Sequence, residues 1–213
     1  MKICIIGATS KVGKTILSEA IMRHHDVTVI VRNKNKMNIP NINFIEKGVF
    51  DLTRQDLIQF DVVINAFGSH PVEEQLHLKF GRFLISLLEN SNTRLFVVGG
   101  IGNIFIDDHN HVIDFNDNPE EHKLLSSQQI QNLARLQNSS IRWTFLIPSI
   151  LFDSDGPRTG HYILGKDYLL YNSQFISYVS YSDFAVAVLD EIEHPKHENT
   201  YFTVDSENPT ICS

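Results

Sequence analysis

The chain has 213 residues, of which 42% are hydrophobic and 20% are charged, and it carries a formal net charge of −7. This length and composition are typical of one globular domain that buries a sizeable core. The acidic balance indicates solubility and argues against a nucleic-acid-binding surface, because phosphate contacts need clustered basic residues.

Neither the cysteines nor the hydropathy indicates a secreted or membrane protein. Cys4 and Cys212 form neither a zinc-ligand pattern nor a disulfide framework. Only four apolar residues separate Lys2 from Gly7, too few for a secretory leader. No apolar run approaches the roughly 18 residues that a membrane span needs. We therefore expect a cytoplasmic protein with no membrane partner.

In the first half of the chain, apolar runs alternate with segments of helical periodicity. The pattern predicts strands at 3–6, 26–31, 43–46, 61–65 and 95–98, and helices over 12–21, 52–59 and 73–90. The strands are apolar without alternation, which is typical of a parallel sheet covered on both faces. Right-handed crossovers then favour an α/β, doubly wound parallel sheet of the Rossmann type.

The second half is less regular but shows no linker. Helices are predicted over 121–137 and 181–192, strands over 142–147 and 200–204, and a loop with a hairpin over 148–171. A long loop over 101–120 is rich in acidic and histidine residues: Asp107, Asp108, His109, His111, Asp114 and Asp117. Their spacing is not that of a metal site, so we expect no metal. A single domain over 1–213 is predicted, with a small substrate-side portion from about 148 to 213.

The segment from Gly7 to Gly13 is a glycine turn between a strand and a helix, as in proteins that direct backbone N–H groups at a phosphate. A P-loop kinase would need its first glycine at position 8, which is Ala8. No strand ends in the acidic residue that would hold magnesium in that class. The dinucleotide-binding frame fits better, with Ser10 in the middle glycine position, where its hydroxyl could contact a phosphate. A turn that binds no ligand remains the alternative.

The end of the second strand predicts which dinucleotide is preferred. An acidic residue there would bind the ribose hydroxyls of NAD, but this chain has Arg32. A guanidinium suits a 2′-phosphate, because it offers bidentate hydrogen bonds and can stack on adenine. Arg32 therefore favours NADP, with a solvated arginine at a strand end as the alternative.

Several motifs together resemble the atypical short-chain dehydrogenases known as NADH-flavin reductases, which are related to the flavin/biliverdin-IXβ reductases. The resemblance covers nearly the whole chain, and its later motifs are the more specific ones. The motifs lie at 2–9, 29–33, 63–68, 97–100, 143–149, 158–160 and 180–185.

This resemblance implies a Rossmann-type fold that binds NADP in the crevice at the strand ends. It assigns the pyrophosphate to Gly7, Thr9, Ser10, Lys11 and Val12, and the 2′-phosphate to Arg32. It places Phe50 near adenine, Ala66, Phe67 and Gly68 near the ribose, and Gly99 and Pro148 near the nicotinamide. Asn103 stands where the family usually has a serine, so no hydroxyl role is carried over there.

No catalytic side chain is assigned. Ordinary short-chain dehydrogenases use a tyrosine with a lysine four residues later, but the predicted helix over 121–137 contains no tyrosine. Tyr162 and Lys166 have the tyrosine–lysine spacing, but they lie in a hairpin-like region that does not suit a catalytic pair. By residue type alone, possible proton donors are His109, His111 and His161.

Two functions remain compatible with the missing pair. The leading hypothesis is an NADPH-dependent oxidoreductase whose small-molecule substrate is free flavin, such as FMN, or a related planar acceptor such as a quinone. These acceptors take hydride directly and can draw their proton from solvent. The alternative is a non-catalytic, NADP-sensing regulatory protein, as in NmrA-type relatives.

Overall fold

The computed structural model describes residues 1–37, 39, 42–68, 76–105 and 120–207. The predicted acidic loop residues, from Asp107 to Asp117, and Cys212 lie outside the described residues, as does the predicted start of the helix over 73–90. In the part that is described, no helix is long and apolar enough to cross a membrane.

The central feature is a sheet of eight strands in the order β3-β2-β1-β4-β5-β6-β10-β8. The strands are β1 (Lys2–Ile6), β2 (Asp26–Val31), β3 (Asn43–Glu46), β4 (Val62–Asn65), β5 (Arg94–Val98), β6 (Trp143–Ile147), β8 (Ile163–Gly165) and β10 (Thr200–Asp205). All neighbours are parallel except β10 and β8, which are antiparallel. The predicted doubly wound parallel sheet is confirmed.

Helices cover both faces of this sheet and create two hydrophobic cores. The helices are α1 (Lys11–Met22), α2 (Arg54–Leu57), α3 (Leu76–Leu88), α4 (Glu120–Gln137) and α5 (Tyr181–Glu193). Within β1, Ile3 and Ile5 lie in the core that includes α1 and α5, whereas Cys4 and Ile6 lie in the core that includes α3 and α4. Because both faces are buried, the strand has to be apolar without alternation.

The region after β6 differs from the sequence prediction. The short strands β7 (Leu151–Asp153) and β9 (Tyr178–Ser180) form a separate two-stranded parallel sheet, and β8 pairs with β10. The predicted hairpin is therefore replaced by pairings with segments later in the chain. Three-residue strands are too short to show a hydrophobic period, so only the tertiary contacts reveal them.

Asp183, at the start of α5, fastens the segment that precedes β8. Its fully buried carboxylate accepts hydrogen bonds from the N–H groups of Thr159 and Gly160, both at 2.8 Å, and from the Thr159 hydroxyl at 2.7 Å. Gly160 has φ +74°, a conformation that favours glycine. Next to it, Arg158 binds both carboxylate oxygens of Glu19 on α1 at 2.9 Å. The segment is thus tied to α1 and α5 together.

We predict that Asp183→Asn destabilises the protein by about 3 kcal/mol, because an amide cannot accept all of these hydrogen bonds and leaves buried donors unpaired. Urea unfolding would measure the change. Asp26→Asn is the control, since the exposed Asp26 carboxylate has one long hydrogen bond from Asn43, and its effect should stay within about 0.5 kcal/mol. Equal effects for the two variants would contradict the role of Asp183.

Candidate functional site

A crevice opens at the carboxyl ends of the strands, where β2 and β4 flank β1 on opposite sides. In doubly wound sheets this switch in strand order is where ligands bind. The cleft has a volume of about 490 Å³. Its lining residues are Gly7, Thr9, Ser10, Lys14, Ile30, Val31, Arg32, Asn33, Lys47, Val49, Phe67 and Gly68.

The glycine turn brings α1 close to both β1 and β4. Gly7 has φ +86°, and a Cβ atom there would lie 2.3 Å from the Ala66 carbonyl oxygen. A Cβ atom at Gly13 would lie 2.1 Å from the Gly7 carbonyl oxygen. Larger residues at these two positions would force the helix away from the strand ends. The spacing of the glycines in the sequence is therefore explained by backbone contact.

Ser10, in the middle of the turn, is the N-cap of α1. Its Oγ accepts a hydrogen bond from the Gly13 N–H at 3.0 Å and donates to the Ala66 carbonyl at 3.3 Å. Its own N–H donates to the Gly7 carbonyl at 2.9 Å. The hydroxyl thus stabilises the turn itself, and the phosphate contact expected of Ser10 stays a prediction.

The N-terminus of α1 offers free donors to an anion. Within the described residues, the N–H groups of Lys11 and Val12 have no protein partner, as is usual in the first turn of a helix. These groups and the helix dipole favour negative charge at this position. The Val12 side chain packs against the core, while the exposed Lys11 ammonium lies 3.3 Å from the Ser154 hydroxyl. Both residues therefore offer backbone donors.

Three cations of the described residues line the cleft: Arg32, Lys14 and Lys47. Arg32 follows β2, and the N–H of Lys47 donates to Val31 of that strand at 3.0 Å, so the two residues leave adjacent strand ends. The Lys47 ammonium binds Asp56 at 2.6 Å. Burial acts to raise the pKa of Asp56, but hydrogen bonds from Lys47 and Thr53 hold it below its usual value. Lys14 and Arg32 have no anionic partner among the described residues.

Sequence reasoning missed Lys14 and Lys47. Lys47 was detectable in principle, because it directly follows a predicted strand at the same edge of the sheet as Arg32. Lys14 lies inside α1, and no sequence pattern distinguishes it from a solvated helix residue.

The other predicted residues are not among those that line the cleft. Phe50 follows Val49 and packs against Phe80 and Phe83, with ring centroids 5.8 Å apart in each pair. Ala66 is buried and contributes its carbonyl to Ser10. The structure therefore brings six of the twelve predicted residues into one cleft: Gly7, Thr9, Ser10, Arg32, Phe67 and Gly68.

Gly99 and Pro148 lie at the carboxyl ends of the neighbouring strands β5 and β6. A Cβ atom at Gly99 would lie 2.1 Å from the Phe145 ring, so glycine is required by packing. Ser149, which follows the buried Pro148, donates to Asp205 at 2.8 Å, and the same carboxylate oxygen accepts the Tyr178 N–H at 2.9 Å. Burial raises the pKa of Asp205 to about 6. This buried carboxyl joins β10 to β9 and to the loop after β6.

Tyr162 and Lys166 do not form a pair. The Tyr162 hydroxyl donates to Asp190 on α5 at 2.6 Å, and burial together with that carboxylate raises its pKa well above the usual value. The Lys166 ammonium lies over the Tyr201 ring, 5.6 Å from its centroid. A lysine in that position cannot lower the pKa of Tyr162, so the pair lacks the geometry for proton donation.

Comparison with known proteins gives a consistent result. The profile of the NAD(P)H-binding family matches residues 7–195. YwnB of Bacillus subtilis strain 168, a protein without an assigned function, is 49% identical over 211 residues, which are 97% of this chain and 99% of that protein.

Solved structures extend this likeness over nearly the full length. SP1627 of Streptococcus pneumoniae TIGR4, provisionally named an NADH-flavin reductase, is 38% identical with a TM-score of 0.90, covering 97% of this chain and 100% of that one. The anaerobilin reductase ChuY of Escherichia coli O157:H7 is 17% identical with a TM-score of 0.72, covering 98% of each chain. At that identity ChuY shares the fold alone.

We predict that Ser10→Ala destabilises the protein by about 1 kcal/mol because it removes the N-cap of α1, whereas Ser10→Gly costs only a few tenths. Titration of both variants with a nicotinamide dinucleotide tests the separate prediction of a phosphate contact, because unchanged affinity would assign the hydroxyl to the turn alone. Urea unfolding and a binding titration would measure the two effects. A large loss of affinity in the stable Ser10→Gly variant would instead assign the hydroxyl to the ligand.

Proposed function

Because the chain belongs to the NAD(P)H-binding family, we propose that it is an NADPH-dependent oxidoreductase that reduces a free flavin or a related planar acceptor such as a quinone. The observation that carries this proposal is the cationic cleft at the switch point of the sheet. The provisional name of SP1627 supports the acceptor class.

The cleft fits a phosphorylated dinucleotide by charge and by donor geometry. The free N–H groups of Lys11 and Val12 suit the pyrophosphate, whose negative charge the α1 dipole stabilises. The Arg32 guanidinium in this cleft suits the 2′-phosphate of NADP, and Lys14, which has no anionic partner among the described residues, adds a second positive charge. Among the described residues, no acidic side chain lines the cleft to bind the free ribose hydroxyls of NAD.

The chemistry requires few protein groups. When bound, the reduced nicotinamide supplies a hydride, which a flavin or quinone takes up with a proton from solvent, leaving oxidised cofactor and a two-electron-reduced acceptor. The protein has to hold the two rings in contact. Gly99 and Pro148, at the ends of β5 and β6, suit the nicotinamide end, and we assign the acceptor side to the part of the single domain from about residue 148 onward.

We predict that Arg32→Ala weakens NADPH binding by about tenfold to a hundredfold, which corresponds to about 1.5–3 kcal/mol for hydrogen bonds to a charged group. NADH binding should change by less than about twofold, because NADH lacks the 2′-phosphate. Titration of the wild type and the variant with both cofactors would measure the effect.

Arg142→Ala is a matched control for the loss of an exposed arginine. Arg142 directly precedes β6, at the amino end of that strand and away from the cleft at the carboxyl ends. It binds Glu198 and the Asn92 carbonyl. Its loss should leave both affinities unchanged. If the Arg32→Ala variant kept the wild-type preference for NADPH, the assignment of Arg32 would be wrong.

A panel of acceptors tests the reaction. NADPH absorbance would be followed with riboflavin, FMN and a quinone in turn, and we expect oxidation that depends on both enzyme and acceptor. Binding of NADPH without oxidation by any of these acceptors would contradict the proposed reaction. That result would favour the alternative, a regulatory protein that senses NADP, for which the separation of Tyr162 from Lys166 is the supporting observation.

A further inference from the structure

Phe175 stands out among the large hydrophobic side chains of the described residues because 88% of its surface is exposed. Its backbone has φ +58°, in the left-handed region, which is rare for a bulky residue. Neither burial nor backbone preference therefore explains a phenylalanine at this position. Strained backbone of this kind persists where the surroundings impose it, and it is concentrated at ligand-binding sites.

Several hydrogen bonds hold the turn that carries Phe175. The Asn172 side chain, which is buried, accepts hydrogen bonds from the N–H groups of Gln174 at 3.0 Å and Ile176 at 3.1 Å. The Asn172 carbonyl accepts from the Phe175 N–H at 3.0 Å. Ser173 then binds the Glu207 carboxylate through both its N–H and its hydroxyl. Phe175 is thus presented to solvent on a fixed support.

The turn lies next to the chain that leaves β6 at its carboxyl end. The Ser177 hydroxyl accepts a hydrogen bond from the Ile150 N–H at 3.2 Å, and the Ser177 carbonyl accepts from the Leu151 N–H at 3.0 Å. Ile150 and Leu151 are themselves 55% and 46% exposed. Three exposed apolar side chains, Ile150, Leu151 and Phe175, therefore belong to adjoining segments that begin two residues after Pro148. We call them the apolar wall.

The charges around the apolar wall contrast with those of the cofactor cleft. Between residues 148 and 180 the chain has one arginine, Arg158, and one lysine, Lys166. Arg158 is bound to Glu19, and Lys166 lies over the Tyr201 ring. The turn itself carries the Glu207 carboxylate. The phosphate-binding half of the strand edge is thus cationic. Around the apolar wall Arg158 and Lys166 are engaged elsewhere, and Lys11 of α1 contacts Ser154 at the other end of β7 from Ile150.

We propose that the apolar wall is the acceptor subsite, in which the Phe175 ring stacks on an uncharged planar acceptor such as riboflavin or a quinone, in preference to phosphorylated flavins. This inference rests on the proposed function and specifies its acceptor. An aromatic ring on a rigid turn provides stacking area at little cost in conformational entropy. The Glu207 carboxylate, which Ser173 holds at this turn, would repel a 5′-phosphate bound close to it.

Phe175→Gly is the decisive variant, because it removes the ring while relieving the left-handed backbone. We expect its thermal midpoint to equal or exceed that of the wild type. Its dissociation constant for riboflavin, measured by flavin fluorescence quenching with NADP⁺ present, should rise about tenfold while NADPH binding is unchanged. Phe175→Tyr should retain riboflavin binding. Ile163→Ala, at an exposed position on the edge strand β8, is the control and should change nothing.

The binding titration does not depend on turnover, so failure of this inference can be told apart from failure of the proposed reaction. Unchanged riboflavin affinity in Phe175→Gly would overturn the assignment of the apolar wall as the acceptor subsite, even if NADPH oxidation were observed. Absence of riboflavin and quinone binding to the wild type, or FMN bound more tightly than riboflavin, would also overturn it. A change of oligomeric state in Phe175→Gly with riboflavin binding retained would assign the surface to a second copy of the chain instead.

Discussion

The close backbone contact among Gly7, Gly13 and Ala66 is the constraint on which the site depends. It allows α1, whose first turn carries the free N–H groups of Lys11 and Val12, to begin close to the ends of β1 and β4. The Ser10 hydroxyl strengthens this contact by bridging the Gly13 N–H and the Ala66 carbonyl. A glycine in the middle position would leave more room for a ligand but would lack this bridge.

The edge of the sheet at which the strands end has two chemically different halves. Over β2 and β3 the cleft is cationic, with Arg32 and Lys47 at adjacent strand ends. Beyond β6 the exposed surface is apolar, with Ile150 and Phe175 on adjoining segments. The proposed function assigns the dinucleotide to the cationic half, and the further inference assigns the acceptor to the apolar half. The fold places them along one line of strand ends.

A buried ionic network holds the segment before β8 in position. Glu19 on α1 is almost fully buried and binds Arg23 of its own helix and Arg158 of the segment before β8. Burial acts to raise the pKa of Glu19, but the two guanidinium groups lower it below its usual value. Arg23 continues the network to Asp190 on α5. Removing one partner would leave buried charge uncompensated, which costs far more than a surface ion pair. The network therefore ties the acceptor side to the helix that begins at the glycine turn.

The sequence by itself determined the parallel sheet, the position of the glycine turn and the presence of Arg32 at the end of β2. These features are local: a strand buried on both faces must be apolar at every residue, as Ile3 to Ile6 are, and a close helix start needs glycine at fixed spacing. Only the tertiary structure decided that Lys14 and Lys47 share the cleft, that the Ser10 hydroxyl binds Ala66, and that Leu151 pairs with Tyr178. It also decided that Phe175 is exposed. Each of these depends on contacts between residues far apart in the chain, which periodicity and spacing within one segment do not encode.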